Sequence, residues 1–308
     1  MKKIISVLLS LFLSFSLCAC GKSQNIIAAE NAVKAVGKVT LNSKSAIDQA
    51  EKAIGALSEK EKKKFKLNTE FEEIKKRYNQ LSEEEKVKLA VEKINSIGEV
   101  TLESAAAIDE ADEAYQSISV EFRDKVINAD ELNNAKSSLR KLKAEEKERI
   151  IAEKTPMFDI DYDKVQDNTW YYHKSMPKYI DTRSYIIPYL GKSGNDYWIC
   201  TRYNYTGDDW IFWNNMTIWV DGTKYYKNVR RSDIVRDNDT EVWEYYDEPL
   251  DSNVRMDNSE IKMLTAIAQS GETVIRFEGN DYNYDLAVTP TDKKIISDIL
   301  ALYEALTC

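Results

Sequence analysis

The chain has 308 residues and carries 43 Lys and Arg against 52 Asp and Glu, for a formal net charge of −9. The length allows two domains with a sizeable core. The excess negative charge lies in residues 155–308, which hold 16 Lys and Arg against 26 Asp and Glu; an acidic surface repels phosphate backbones, so a nucleic acid is excluded as partner. Aromatic content divides at the same place, since all six Trp and sixteen of the eighteen Tyr follow Pro156, while Ala, Lys and Glu dominate before it.

In chain order, Lys2 and Lys3 precede an apolar run over residues 4–17 that only Ser6, Ser10, Ser14 and Ser16 interrupt. A positive start, a short apolar stretch and a small-residue cleavage site form a secretory signal, too short to persist as a spanning helix of roughly 20 apolar residues. Leu17-Cys18-Ala19-Cys20 resembles the lipobox of bacterial lipoproteins. That resemblance implies cleavage between Ala19 and Cys20 and lipid attachment to the Cys20 thiol. Two acyl chains suit such an anchor, because one chain at about 0.8 kcal/mol per buried CH₂ holds only marginally. The expected location is the outer side of a membrane, with residues 20–29 as tether and the membrane as partner through the lipid. Cys18 leaves with the signal, so Cys200 and Cys308 remain, either as a disulfide or as two free thiols.

Gly37-Lys38-Val39-Thr40-Leu41-Asn42-Ser43 and Gly98-Glu99-Val100-Thr101-Leu102-Glu103-Ser104 match at an offset of 61 residues, and the match continues through Ala46-Ile47-Asp48 and Ala107-Ile108-Asp109. Apolar positions follow at helical spacing, Ile47, Ala50, Ile54 and Leu57 in one copy and Ile108, Ala111, Tyr115 and Ile118 in the other. Ser58, Thr69 and Ser82, each with Glu three residues on, fit the capping box that starts a helix. Gly37 and Gly98 suit left-handed helix ends. The stripe Phe71, Ile74, Tyr78 and Leu81 loses phase before Val87, Val91 and Ile94, so the helix either breaks at Ser82 or runs on with its buried face rotated. This pattern resembles the small helical repeats of Gram-positive surface proteins, which implies spacers or binding modules and carries over no catalytic residue. The expected repeats are about 30–81 and 82–142, followed by a charged helix over 143–156 that ends at Thr155-Pro156.

Beyond residue 157 the period changes from helical to alternating. Tyr197, Ile199, Thr201, Tyr203 and Tyr205 alternate with Trp198, Cys200, Arg202 and Asn204, which predicts a strand. Further strands are expected at 169–174, 184–190, 210–220, 223–229, 241–246, 273–278 and 282–288. Hairpin turns are expected at Gly191-Lys-Ser-Gly194 and, by the stronger signal, at Asp221-Gly222. Helices are expected at 259–269 and from Pro290 onward, the latter packed on a sheet face. The fold class is therefore multidomain α plus α+β: two helical-bundle repeats, then a mostly antiparallel, acidic, aromatic-rich β domain over 157–308 with a C-terminal helix.

Catalytic and metal motifs are weak. His173 is the only histidine, and Cys200 sits mid-strand rather than in a thiolate-favouring setting. Asp237, Asp239, Glu241 and Glu248 fit calcium-loop spacing, but Val242 replaces the turn glycine and begins a strand. One His and two scattered Cys do not make a zinc site. No metal, cofactor or catalytic residue is expected. The aromatic doublets carry the remaining signal: neighbouring strand residues face opposite sheet faces, so one ring of each pair points away from the core its partner enters. Trp210, Trp213, Tyr171 and Tyr245 are the candidate ligand-binding residues, with Trp210 and Trp213 expected to be the most exposed. The expected function is a non-enzymatic surface protein that binds a glycan or a protein. The alternatives are a glycan hydrolase using paired carboxylates and an inhibitor or immunity-type lipoprotein.

Overall fold

The computed structural model describes residues 23–249 and 259–307; the signal, Cys20 and Cys308 lie outside them. Among the described residues no helix is long and apolar enough to cross a membrane. The chain divides into two compact units with the boundary between Leu139 and Arg140.

The first unit is helical: α1 (Gln24–Ala35), α2 (Lys44–Gly55), α3 (Glu59–Lys62), α4 (Asn68–Asn95), α5 (Ala105–Gln116) and the start of α6 (Ala129–Lys154). It has two separate cores. Ile26, Ala29, Val33, Ile47, Ala50, Leu57 and Phe71 fill one, while Ala90, Ile94, Ile108, Ala111, Ile118 and Leu132 fill the other. The 28-residue α4 belongs to both. Its Phe71, Ile74 and Tyr78 enter the first core and its Val87, Ala90, Val91 and Ile94 the second, so the apolar stripe slips phase where the helix leaves one core for the next. The helix is continuous, the second of the two alternatives at Ser82, which lies mid-helix, and the expected start at Thr69 is corrected: Thr69 is the second residue of α4, whose cap residue Leu67 makes no side-chain bond. Burial at both ends outweighs the local capping signal there.

Ser58 does cap α3, its hydroxyl accepting from the Glu61 N–H while Glu61 accepts from the Ser58 N–H at 2.9 Å. The repeat has a second device with Ser in place of Glu. Thr40 and Ser43, and 61 residues on Thr101 and Ser104, form reciprocal boxes over short 3₁₀ turns that lead into α2 and α5. Gly37 and Gly98 precede them at φ of +60° and +63°, left-handed values that L side chains adopt only with strain. The charged run over 143–154 is the second half of α6, not a separate linker helix.

Among its described residues the second unit contains ten strands: β1 (Phe158–Asp163), β2 (Asn168–His173), β3 (Tyr185–Ser193), β4 (Asp196–Gly207), β5 (Asn215–Val220), β6 (Thr223–Asn228), β7 (Val235–Asn238), β8 (Val242–Pro249), β9 (Thr273–Glu278) and β10 (Asn283–Ala287). Two helices join them, α7 (Ser259–Gln269) and α8 (Pro290–Thr307). The strands form one sheet in the order β1-β2-β3-β4-β8-β7 and another in the order β10-β9-β5-β6. Every described pairing is antiparallel. α8 packs on β3 and β4, and Ile295, Ile296, Ile299 and Leu302 join Ile186, Leu190, Ile199 and Tyr203 in a single core.

Three expectations change in detail. The strand expected from 210 begins only at Asn215, because the preceding loop is drawn to a buried carboxylate described below. The expected turn over 191–194 is shorter, since Gly191 to Ser193 remain in β3 and Gly194 takes the left-handed conformation at φ +56°. The strands β1 and β7 have no counterpart in the sequence reading; both are sheet edges, β1 with three Asp in six residues and β7 with Arg236, Asp237 and Asn238 in four. The Asp221-Gly222 hairpin forms with positive φ at both residues, 44° and 94°, as a type I′ turn requires. Its Asp221 carboxylate accepts from the Glu272 and Gly271 N–H groups at 2.8 and 2.9 Å, which hold its pKa below the ordinary Asp value.

The capping difference is testable by urea denaturation of the full chain. Ser58→Ala should cost about 1 kcal/mol of helical-unit stability, whereas Ser82→Ala should change it by less than about 0.5 kcal/mol. Equal losses would contradict a continuous α4.

Candidate binding cleft on the aromatic sheet face

Alternation along β4 sends Ile199, Tyr203 and Tyr205 into the core and leaves Cys200, Arg202 and Asn204 on the other face. The register carries this second face across the sheet: Ile187 and Asp247 flank Arg202, Tyr185 and Tyr245 flank Asn204, and Tyr189 lies beside Cys200. At the edges Asp159 pairs with Tyr172, and Asp237 with Trp243. The result is a face paved with rings around one cation.

Arg202 donates to both oxygens of Asp247, Nε to Oδ1 at 2.7 Å and Nη2 to Oδ2 at 2.6 Å. Its guanidinium lies 4.6 Å from the Tyr245 ring centroid and 5.7 Å from that of Tyr189. Burial alone would lower the Arg202 pKa, but the Asp247 carboxylate more than offsets it and the net shift is upward. Tyr172 stacks on Tyr189 at 5.2 Å and 29°, and burial raises the pKa of both phenols. Further along, Trp170 meets Trp198 edge-on at 5.7 Å. Gly191 makes room for that indole, because a methyl group there would lie 2.2 Å from Trp198 Cε2.

On this face opens a cleft of about 850 Å³. Tyr172, Tyr185, Arg202, Trp243 and Tyr245 line it from the strands, and Tyr179 from the loop over 174–184. Asp159, Asp181, Asp237 and Asp239 also line it, with Lys174 and Lys178 as its lysines. The loop is held from beneath. Asn204 Nδ2 donates to the Ile180 and Arg183 carbonyls, each at 3.0 Å, and Thr206 Oγ1 donates to Ile180 O at 2.9 Å. Arg183 in turn grips the buried Asp292 of α8 at 2.6 and 3.0 Å. Tyr179 is thus presented, 60% exposed, on a tethered wall.

Of the four candidate binding residues only Tyr245 lines the cleft. Tyr171 points to the core side, half-buried 6.5 Å from the Tyr197 ring, and its neighbour Tyr172 takes the cleft position. Trp213 is corrected from exposed to fully buried, at 0%; its indole N–H donates to Glu244 O at 3.2 Å and its ring meets Phe277 edge-on at 5.2 Å. Trp210 lies outside the cleft and stacks on Phe212 at 5.9 Å. Glu244 explains that loop. This fully buried carboxylate accepts from the Ile211 and Phe212 N–H groups at 2.9 and 2.7 Å and from Arg236 Nε at 2.9 Å, which draws Phe212 to φ +52°.

Cys200 is a buried free thiol whose pKa burial pushes up to about 11, while Cys308, its candidate partner, lies outside the described residues. His173 sits on the core side, beside Phe158 and Asp298. It therefore does not share a face with Cys200. Its Nδ1 accepts from the Ser175 N–H at 3.1 Å, and Nε2 faces Asp298 Oδ2 at 3.4 Å. That separation is too long for a well-formed bond, and Nε2 has no hydrogen-bond partner among the described residues. A second ionic knot joins the layers: Lys227 of β6 bridges Glu248 of β8 and Glu260 of α7, and Tyr203 donates to Glu260. Both carboxylates there have a structural cation. Among the described residues no group of three His, Cys, Asp or Glu could hold a metal ion.

No known family model, curated protein or solved structure matches this chain. The cleft therefore has to be read from its own chemistry.

Arg202, Tyr172 and Trp243 line the cleft without having been candidates from the sequence, and Asp247 holds Arg202 from beside it. Their signal was present, because Trp243, Tyr245 and Asp247 share one parity in β8.

His173 gives the second unit a pH dependence. Burial lowers its pKa below the ordinary value, and Asp298 only partly opposes this. The unfolded chain therefore takes up a proton first, so stability is complete above about pH 7 and declines as pH falls through the ordinary His value of about 6.5. Denaturation midpoints between about pH 7.5 and 5 should show this slope, and His173→Gln should flatten it. An unchanged slope in the variant would contradict the assignment.

Proposed function

We propose that this chain is a lipid-anchored extracytoplasmic protein whose β unit binds a glycan without chemical turnover, the helical repeats serving as spacers. The address rests on the signal segment and on the resemblance of Leu17-Cys18-Ala19-Cys20 to a lipobox. The binding role rests on one observation, the ring-lined cleft of about 850 Å³ around the Arg202–Asp247 pair.

The physical reasons are direct. Small-ligand sites fall between roughly 300 and 1,000 Å³ and combine apolar rings with a few placed polar groups. A sugar offers an apolar C–H face to a ring and hydroxyls at its edge, and tyrosine and tryptophan supply both an apolar body and a polar tip. The carboxylates of the cleft accept hydrogen bonds from those hydroxyls. A protein ligand of standard size would instead need about 800 Å² of matched surface on each partner, and a concave cleft favours the smaller ligand.

A glycan array probed with the full chain in detergent tests this reading. At least one oligosaccharide class should bind, and Trp243→Ala or Tyr245→Ala should weaken it at least about tenfold. Trp210→Ala, outside the cleft, should bind as the parent does. Loss of binding in the Trp210 variant with full binding in the cleft variants would overturn the assignment.

A further inference from the structure

We propose, on the reading of the cleft as a glycan site, that its ligand carries free amino groups: an oligosaccharide of amino sugars that lack N-acetyl caps. Two independent features of the cleft lead there.

The first is its unbalanced charge. Asp159, Asp181, Asp237 and Asp239 all line the cleft, and none of them joins an ion pair among the described residues. The cleft's own cations balance the four only in part: Arg202 is committed to Asp247 through two hydrogen bonds, and Lys174 and Lys178 supply two positive charges against four negative ones. The potential inside the cleft is negative, and it attracts a cationic ligand.

The second feature is what the rings already do. Arg202 sits over Tyr245 at 4.6 Å, and Lys178 Nζ over Tyr179 at 5.3 Å. Those two faces already hold the chain's own cations, so the rings left for a ligand are Tyr172 and Trp243, each the cross-strand neighbour of a carboxylate, Asp159 and Asp237. A ligand ammonium placed among them gains ring contact and carboxylate contact together. An N-acetylated sugar offers a neutral amide at the same position and gains neither charge term. The cleft thus has a means of telling an amine from an acetamide on otherwise identical sugar rings.

Calorimetry with the full chain at about pH 6, where Asp side chains are ionised, compares glucosamine oligomers with N-acetylglucosamine oligomers of equal length. The amine-bearing oligomers should bind at least about tenfold more tightly. The combined variant Asp181→Asn with Asp237→Asn should lose that preference while keeping the parent's circular dichroism spectrum. Equal affinity for both oligomers, or preference for the acetylated one, would overturn the amine selectivity and leave the glycan reading standing. Binding of neither would overturn the amine proposal, while the glycan array decides the glycan reading by itself. Tighter binding of oligolysine than of either sugar would also overturn the proposal, because charge alone would then define the ligand.

Discussion

The salt bridge between Arg202 and Asp247 is the constraint on which the second unit turns. Two charges at 23% and 29% side-chain exposure have lost much of their hydration, and only a two-pronged geometry with surrounding rings compensates. The pair spans β4 and β8 at directly opposed positions, so it holds their register. A slip of one residue would send Arg202 into the core and Tyr203 out of it. Removing one partner of such a pair typically costs about 3–5 kcal/mol, because the other is left buried and uncompensated.

The same strands do opposite work on their other face. There Glu244 collects two backbone N–H groups and Arg236, and Lys227 ties Glu248 to Glu260 across the two sheets and α7. These three core-side carboxylates are each matched by a cation. The cleft side has one matched pair and four unmatched carboxylates, and this asymmetry separates a supporting face from a face able to receive a ligand.

The sequence showed the helical and alternating halves clearly, since a period of 3.6 and a period of 2 are both local patterns. It showed that one ring of each doublet must leave the core, but not which, because the choice depends on which face α8 covers. Tyr171 and Tyr172 differ only in that respect. Trp213 was misplaced for a related reason: Glu244, 31 residues away, turns the loop back and buries the indole. Ser82 reads locally as a helix start, yet the two cores of the helical unit hold α4 continuous through it. The Arg202–Asp247 pair, 45 residues apart, becomes visible only when β8 is known to lie beside β4.

The helical repeats and the β unit follow one logic of local pattern corrected by distant burial, and the cleft stands where that correction leaves rings uncovered. The central claim is that ligand contacts this face and no other. Hydroxyl-radical footprinting of the full chain, with and without a saturating oligosaccharide, measures it residue by residue. The account predicts protection of Tyr172, Tyr179, Trp243 and Tyr245, with no change at Tyr226 and Tyr282, which are exposed elsewhere at 72% and 67%. Protection of Tyr226 or Tyr282 with the cleft rings unchanged would contradict it.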